Sequence, residues 1–392
     1  MILRALGHRG VVNRGVAVAL AAVLVSASPA AASPGWDVVP LQPGSANLVD
    51  VTALSAHDVW AAGFAVHHEI IDGRPFARFE PQVQHGDGVT WSAVPTAPLG
   101  KDVNAQFTAI AAASPGRIWA VGHVWEPRVQ VRSLIEHWNG VTWTRVPADD
   151  LPDAGHDLSD VAAVSATDVW AVGTFVKAES SGPVAQHWDG VRWTRVPLPP
   201  GLDGAALQAV AAAGPADVWA AGLAVADRES GRTEPLLLHW NGLAWCRIAL
   251  PDTADRGTAL LDAVTVSRGQ VWAVGQSTTG GTTDRKPLVF RIDGRGPVLE
   301  PTPDEQGQLN GVTTVGREVW AVGYHYDEAR NDQAYALRRG PDGTWRRAPV
   351  PAREGAALFG VTTERGSGTL WTSGAMTGAG SGQPEPLVAR FR

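Results

Sequence analysis

The sequence predicts an all-β, seven-bladed β-propeller of four-stranded antiparallel blades, with the N-terminal strand completing the last blade. Three observations carry this. Close copies of Asp168-Val169-Trp170-Ala171-Val172-Gly173 recur around Trp60, Trp119, Trp170, Trp219, Trp272, Trp320 and Trp371, at spacings of 59, 51, 49, 53, 48 and 51 residues. Within each period lie four short runs rich in Val, Trp and Thr, separated by turn residues. Six copies also place Asp-Gly or Asn-Gly between the third and fourth runs: Asp87-Gly88, Asn139-Gly140, Asp189-Gly190, Asn241-Gly242, Asp293-Gly294 and Asp342-Gly343. Such dipeptides accept the positive φ of tight hairpins. No copy has a sustained 3.6-residue period, which excludes a helical solenoid.

Taken in order, the chain opens on what reads as an export signal. Arg4, Arg9 and Arg14 precede an apolar run from Val16 to Val25, and Ser-Pro and the triplet Ala30-Ala31-Ala32 follow. Residues 1–32 are therefore expected to be a signal peptide and 33–392 a single propeller domain. The run is too short to span a bilayer, and no later stretch approaches that length. No cysteine follows the cleavage site to accept lipid, so general secretion into the extracellular space is expected.

The inner strand of each blade, strand a, is read at Leu48 to Ser55, Phe107 to Ser114, Leu158 to Ser165, Leu207 to Gly214, Leu260 to Ser267, Leu309 to Val315 and Leu358 to Thr363. Blades converge on the axis, so small residues such as Ala162-Ala163, Ala211-Ala212-Ala213 and Thr313-Thr314 belong there. Strand b carries the repeated tryptophan, and strands c and d form the hairpin that follows. The tryptophans of b and d lie further out, filling the space between neighbouring sheets. The last copy ends at Leu387 to Arg392 with a third strand and no fourth. The missing strand is Trp36-Asp37-Val38-Val39-Pro40, which matches Trp193-Thr194-Arg195-Val196-Pro197. This closure removes open sheet edges.

The inner strand, the aromatic and glycine-bearing second strand and the hairpin ending in Trp and Pro resemble kelch-like, galactose-oxidase-type propellers over residues 36–392. The VWAVG and W-x-x-V pieces are also similar to tectonin-type lectin propellers. The chain departs from both. Ala-Val-Gly stands where kelch repeats carry a glycine pair, and the period is longer than a tectonin repeat. Galactose-oxidase chemistry implies copper and a tyrosine linked to cysteine; here Cys246 sits on a strand d beside Trp245, and the chain has only three tyrosines. No cofactor is expected from the resemblance.

Composition narrows the partners. The formal charge is −7, becoming −10 once residues 1–32 are removed, and lysine is scarce. Nucleic acid and anionic membrane surfaces are poor partners for such a chain. One cysteine allows no intrachain disulfide. A monomer is expected.

Three residue sets bear on chemistry. His85, His137, His187 and His239, continued by Arg291, Arg338 and Arg390, end strand c beside Asp58, Asp168, Asp217 and Glu318 at the start of strand b. A cross-strand acid and base pair repeated around a ring is a structural device. Arg117 and Thr369 break the pattern in blades 2 and 7. Asp50, Asp160 and Asp262 each precede the repeated tryptophan by ten residues. Their expected role is to accept hydrogen bonds from a neighbouring blade's backbone; the alternative is a ring of oxygen ligands for a cation such as Ca²⁺.

The third set lies on loops. Links a to b and c to d are short and alike and make one face, the bottom. Links b to c and d to a differ from copy to copy and share the top face, where binding residues collect on a rigid scaffold. The candidates are His67, His68, Glu69, Asp72 and Arg74 in blade 1, His123, Trp125 and Glu126 in blade 2, and Tyr324, His325, Tyr326, Asp327 and Glu328 in blade 6. Aromatic faces with carboxylates suit a sugar or peptide. The expected function is a secreted binding module for an extracellular glycan or protein. The alternative is a secreted hydrolase or lyase acting on a polysaccharide or small molecule, with Glu69, Glu126 and Asp327 as acid and base.

Overall fold

The computed structural model describes residues 35–41, 46–71, 74–100, 103–125, 131–279, 284–328, 331–351, 355–377 and 384–391. The strands form seven four-stranded antiparallel sheets. Blade 3 shows the plan: strand a Gly155–Ser165, b Asp168–Val176, c Ser181–Trp188 and d Trp193–Arg195. Blade 7 comprises Ala356–Thr363, Leu370–Thr377 and Pro384–Phe391, and its fourth strand is Trp36–Val38, paired antiparallel with Trp36 opposite Phe391. The N-terminal strand thus closes the ring, as the sequence requires.

Strand a starts earlier than the repeat suggests, at Gly155 in blade 3, because it stays paired with the full length of strand b up to Val176. Each strand a also carries a bulge, falling between Leu158 and Asp160 in blade 3. The bulge explains the glycine that ends the repeated motif. A Cβ added to Gly173 would lie 2.0 Å from the Asp157 carbonyl oxygen, and at Gly63, Gly122 and Gly222 the distance is equally short, 1.9–2.1 Å. Only a residue without a side chain lets the bulged backbone approach so closely.

The bottom hairpins follow their dipeptides with one exception. In blades 1 to 4 they are four-residue turns in which Asp87, Asn139, Asp189 or Asn241 accepts two backbone N–H groups through its side chain, and the following glycine takes φ of 89–97°. In blade 5 the turn is tighter, with Asp293 opposite Gly296, so the positive φ falls on Gly296 and not on Gly294.

The core lies between the sheets. The strand-b tryptophan of one blade meets the strand-d tryptophan of the next: Trp119 and Trp193 have ring centroids 5.3 Å apart, and Trp170 and Trp245 lie at 5.4 Å. Trp320 meets Trp36 at 6.4 Å, so the N-terminal strand supplies the tryptophan that its blade otherwise lacks. Burying such a ring contributes on the order of 3 kcal/mol. Arg365, on the a–b turn of blade 7, donates to the carbonyls of Ala113 and Ala112 in blade 2 at 3.1 and 2.7 Å, reaching past blade 1.

Candidate functional site

The recurring histidines serve the scaffold. His85, His187 and His239 place Nε2 within 3.1, 2.9 and 3.0 Å of Asp58, Asp168 and Asp217, and each ring lies against the tryptophan of its own blade. The Trp60 and Trp219 indole N–H groups donate to the same carboxylates. Glu318 pairs with Arg338 in blade 6. In blade 2, where Arg117 replaces the acid, burial and then the Arg117 charge hold the His137 pKa below its ordinary value.

The inner-strand aspartates divide. Asp50 accepts from the backbone N–H of Val51 and of Ile110 in blade 2 at 2.8 and 2.9 Å; Asp160 accepts from Val161 and from Val210 in blade 4, both at 2.7 Å. These are the inter-blade bonds expected. Asp262 departs from the expectation that it shares their position. The a–b turn of blade 5 lacks the second register shift present in blades 1 and 3, so Thr265, not Val264, faces Trp272, and Asp262 lands on the bulge itself. It loses the backbone donors, and its Oδ2 is buried without a hydrogen-bond partner among the described residues.

Desolvation raises the pKa of Asp50 and Asp262 to about 7 and that of Asp160 well above the ordinary range, the last also through the charge of Asp50. The three line a central channel of about 170 Å³ with Asn310, Gln208 and Phe359. Among the described residues no three His, Cys, Asp or Glu side chains converge to hold a metal ion.

Four of the five blade 1 candidates, His67, His68, Glu69 and Arg74, sit on strands and not on a loop. Strand b runs Asp58–Ile71 and strand c Arg74–Gly86, paired out to Ile71 opposite Arg74. Strand b has 14 residues here against 9 in blade 3. At about 3.3 Å per residue this hairpin projects roughly 15 Å further. His67 Nε2 lies 2.9 Å from Glu80 Oε2, and His68 is exposed beside it. The side chains of Glu69 and Arg74, and all of Asp72 and Glu126, fall outside the described residues.

At the base of this arm Phe64, Phe79 and Trp125 form a row, with centroids 5.6 and 6.0 Å apart. His123 stands edge-on to Trp125 at 4.1 Å, and its Nδ1 is 2.6 Å from Asp157 of blade 3. His123 is 5% exposed, so it positions Trp125 and does not itself face solvent.

Blade 6 splits its candidates by strand alternation. Tyr324 and Tyr326 share one face, 5.6 Å apart, with Phe359 of blade 7 at 6.5 Å from Tyr324 and the Arg285 guanidinium 5.9 Å from the Tyr326 ring. Burial raises the Tyr324 pKa to about 12. Gln308 accepts from Arg285 and donates to Asn310 at 2.8 Å, joining this patch to the channel wall. His325 faces the other way, with Nε2 3.5 Å from the Arg347 guanidinium. Asp327 folds back on its own loop, accepting from Asn331 N–H at 2.8 Å, and Glu328 is exposed.

Two described clefts on the top face were not foreseen. One, of about 510 Å³, lies among Asp255, Asp284, Lys286, Thr278 and Asp304; the other, of about 380 Å³, among Lys177, Glu179, Asp203 and Arg228. The irregular b–c and d–a segments were the signal for them, but only the blade order brings their residues together.

A ring of this plan superposes on known ones. A solved structure described as YCF48 bound to D1 peptide matches with a TM-score of 0.56 at 14% identity, over 93% of this chain and 97% of that one. A protein of unknown function from Dyadobacter fermentans matches with a TM-score of 0.51 at 12% identity, over 76% and 96%. The likeness is one of fold. No family model and no curated protein matches the chain, so the kelch-like, galactose-oxidase-type and tectonin-type features remain resemblances of motif. No helix among the described residues is long and apolar enough to cross a membrane.

Proposed function

We propose that this chain is a secreted binding module that captures an extracellular ligand, a protein segment before a glycan, on the top face of its ring. The observation that carries the reading is the pair of aromatic patches, Phe64–Phe79–Trp125 and Tyr324–Tyr326–Phe359, set on paired strands at the top of a rigid scaffold. Rings held by strand pairing lose little freedom on binding, which is what makes them effective anchors. The similar propeller whose description names a bound peptide gives a precedent for a polypeptide ligand on this architecture. Export by the segment 1–32 places the module outside the cell.

The test is a peptide and glycan array probed with residues 33–392, run beside a turnover screen on the same compounds. Saturable binding without product, weakened about tenfold or more by Trp125→Ala or Tyr326→Ala, is the expected result. Product formation abolished by Asp262→Asn would instead establish a hydrolase or lyase working at the channel mouth.

A further inference from the structure

In blades 1 to 4 the c–d turn rests on the a–b turn of its own blade. A Cβ built on Gly88 would lie 2.2 Å from His57, and one on Gly190 or Gly242 would lie 2.8 Å from Thr167 or Ala216. In blade 5 the turns stand apart. Side chains added to Gly269, Gly294 or Gly296 would meet nothing within 4 Å. A cleft of about 430 Å³ opens here on the bottom face, between the a–b turn of blade 5 and the turns of blade 6.

Arg268, Arg317 and Arg339 line this cleft, with Glu318 as the one acidic residue among the described lining. Glu318 is matched by Arg338, which donates to it through both Nε and Nη2. Arg339 and Arg291 are matched by Glu300 and Asp293. Arg268 and Arg317 make no ion pair among the described residues, so the cleft keeps two unmatched positive charges.

A second observation comes from the repeat itself. Two residues before the strand-b tryptophan, blades 1 and 4 carry Asp58 and Asp217. Each carboxylate accepts the indole N–H of that tryptophan, at 2.6 and 2.7 Å, and faces a histidine Nε2. Blade 5 has the neutral, exposed Gln270 in this place, and among the described residues no acceptor meets the Trp272 indole N–H. Blades 2 and 7 lack the acid too, but there the Trp119 and Trp371 N–H groups are buried, whereas Trp272 lines the open cleft. Blade 5 therefore lacks the anion that this position holds elsewhere, and donors surround the space. The backbone agrees. Arg268 has φ of 54°, the one positive value among the described non-glycine residues, in a two-residue turn that favours asparagine or glycine. A strained conformation thus brings a guanidinium to the cleft.

We infer that the cleft between blades 5 and 6 binds a dianionic tetrahedral oxyanion, a phosphate or sulfate group, on the face opposite the aromatic patches. Guanidinium groups present paired N–H donors to such oxygens, and two unmatched charges balance a dianion better than a single carboxylate. The Trp272 indole N–H and the Gln270 amide add donors. This site is independent of the top-face reading.

The test is isothermal titration calorimetry of the purified protein with inorganic phosphate, sulfate, methyl phosphate and acetate at equal ionic strength. Phosphate or sulfate is expected to bind at least about tenfold more tightly than acetate. Methyl phosphate binding as well as phosphate supports a site for an ester-borne group; inorganic phosphate or sulfate alone supports one for the free ion. The double variant Arg268→Asn/Arg317→Gln should weaken binding about tenfold or more without lowering the melting temperature, since asparagine suits the positive φ. Gln270→Glu, which restores the carboxylate of the other blades, should abolish binding in a protein that still melts cooperatively. Arg295→Gln, on a neighbouring turn outside the cleft, should leave binding unchanged. Acetate bound as tightly as phosphate, an unaffected double variant, an equal loss in Arg295→Gln, or no binding of any of the four anions overturns the inference.

Discussion

Six of the seven seams between blades are filled by a pair of tryptophans, and among the described residues the seam between blades 4 and 5 is not. There Trp219 meets Ile292, Leu299 and Phe290, because blade 5 carries Pro297 where other blades begin strand d with tryptophan. Trp219 is 9% exposed, against 1–4% for its six counterparts. The ring tolerates one aliphatic seam, so the tryptophan pair is a way of filling wedge-shaped space and not a condition for closure. The seam between blades 6 and 7 differs in another respect. Its second tryptophan, Trp36, reaches the seam from the N-terminal strand, packs on Phe391 with centroids 5.4 Å apart, and donates from its indole N–H to the Pro349 carbonyl at 2.9 Å.

That contrast sets the order of expected effects. Deleting residues 33–42 removes Trp36 and unpairs the last strand of blade 7; the melting temperature should fall by roughly 10 °C or more, and an unchanged melt would refute the closure. Trp170→Ala, at a two-tryptophan seam, should cost about 3–5 kcal/mol in denaturant titrations, and Trp219→Ala less. If Trp219→Ala proves the costlier, the aliphatic seam is the better packed of the two kinds.

A pH effect comes next. Glu136, buried in blade 2, accepts from the Ala97 N–H at 3.0 Å, and desolvation raises its pKa to about 7. The unfolded chain ionises it near the ordinary value of 4.5. Its share of stability is therefore intact below about 4.5 and lost as pH rises through 7, a loss of roughly 3 kcal/mol. Blades 1 and 3 carry Gln84 and Gln186 at this position, and Gln186 makes the equivalent bond to Asp149 N–H at 2.9 Å. Glu136→Gln should thus stabilise the ring at pH 8 and leave it unchanged at pH 4. The smallest effect is a gain: Pro297→Trp, which gives blade 5 the missing ring, should add less than about 1 kcal/mol.

Much of the scaffold is legible in the sequence because each blade repeats one packing problem with one solution. Trp, Gly and the Asx turn recur where the backbone needs them, and the incomplete last copy points to Trp36. Asp262 was not legible: its spacing to Trp272 is the same as in blades 1 and 3, but one residue fewer in the turn's register moves it onto the bulge. His67 and Arg74 read as loop residues because the extended hairpin of blade 1 has no counterpart to align with. The acidity of the top-face links, fourteen acidic against three basic side chains among the described residues, was hidden for a different reason. Net charge sums over the chain, and only the alternation of turns between two faces separates the contributions of Asp255 and Arg268.

Arg365 gives the ring a direction. Its guanidinium runs from blade 7 to the Ala112 and Ala113 carbonyls of blade 2, across the lower mouth of the channel. The guanidinium works as a clasp: it ties blade 7 to blade 2 over blade 1, holding together the stretches of the ring that come from the two ends of the sequence.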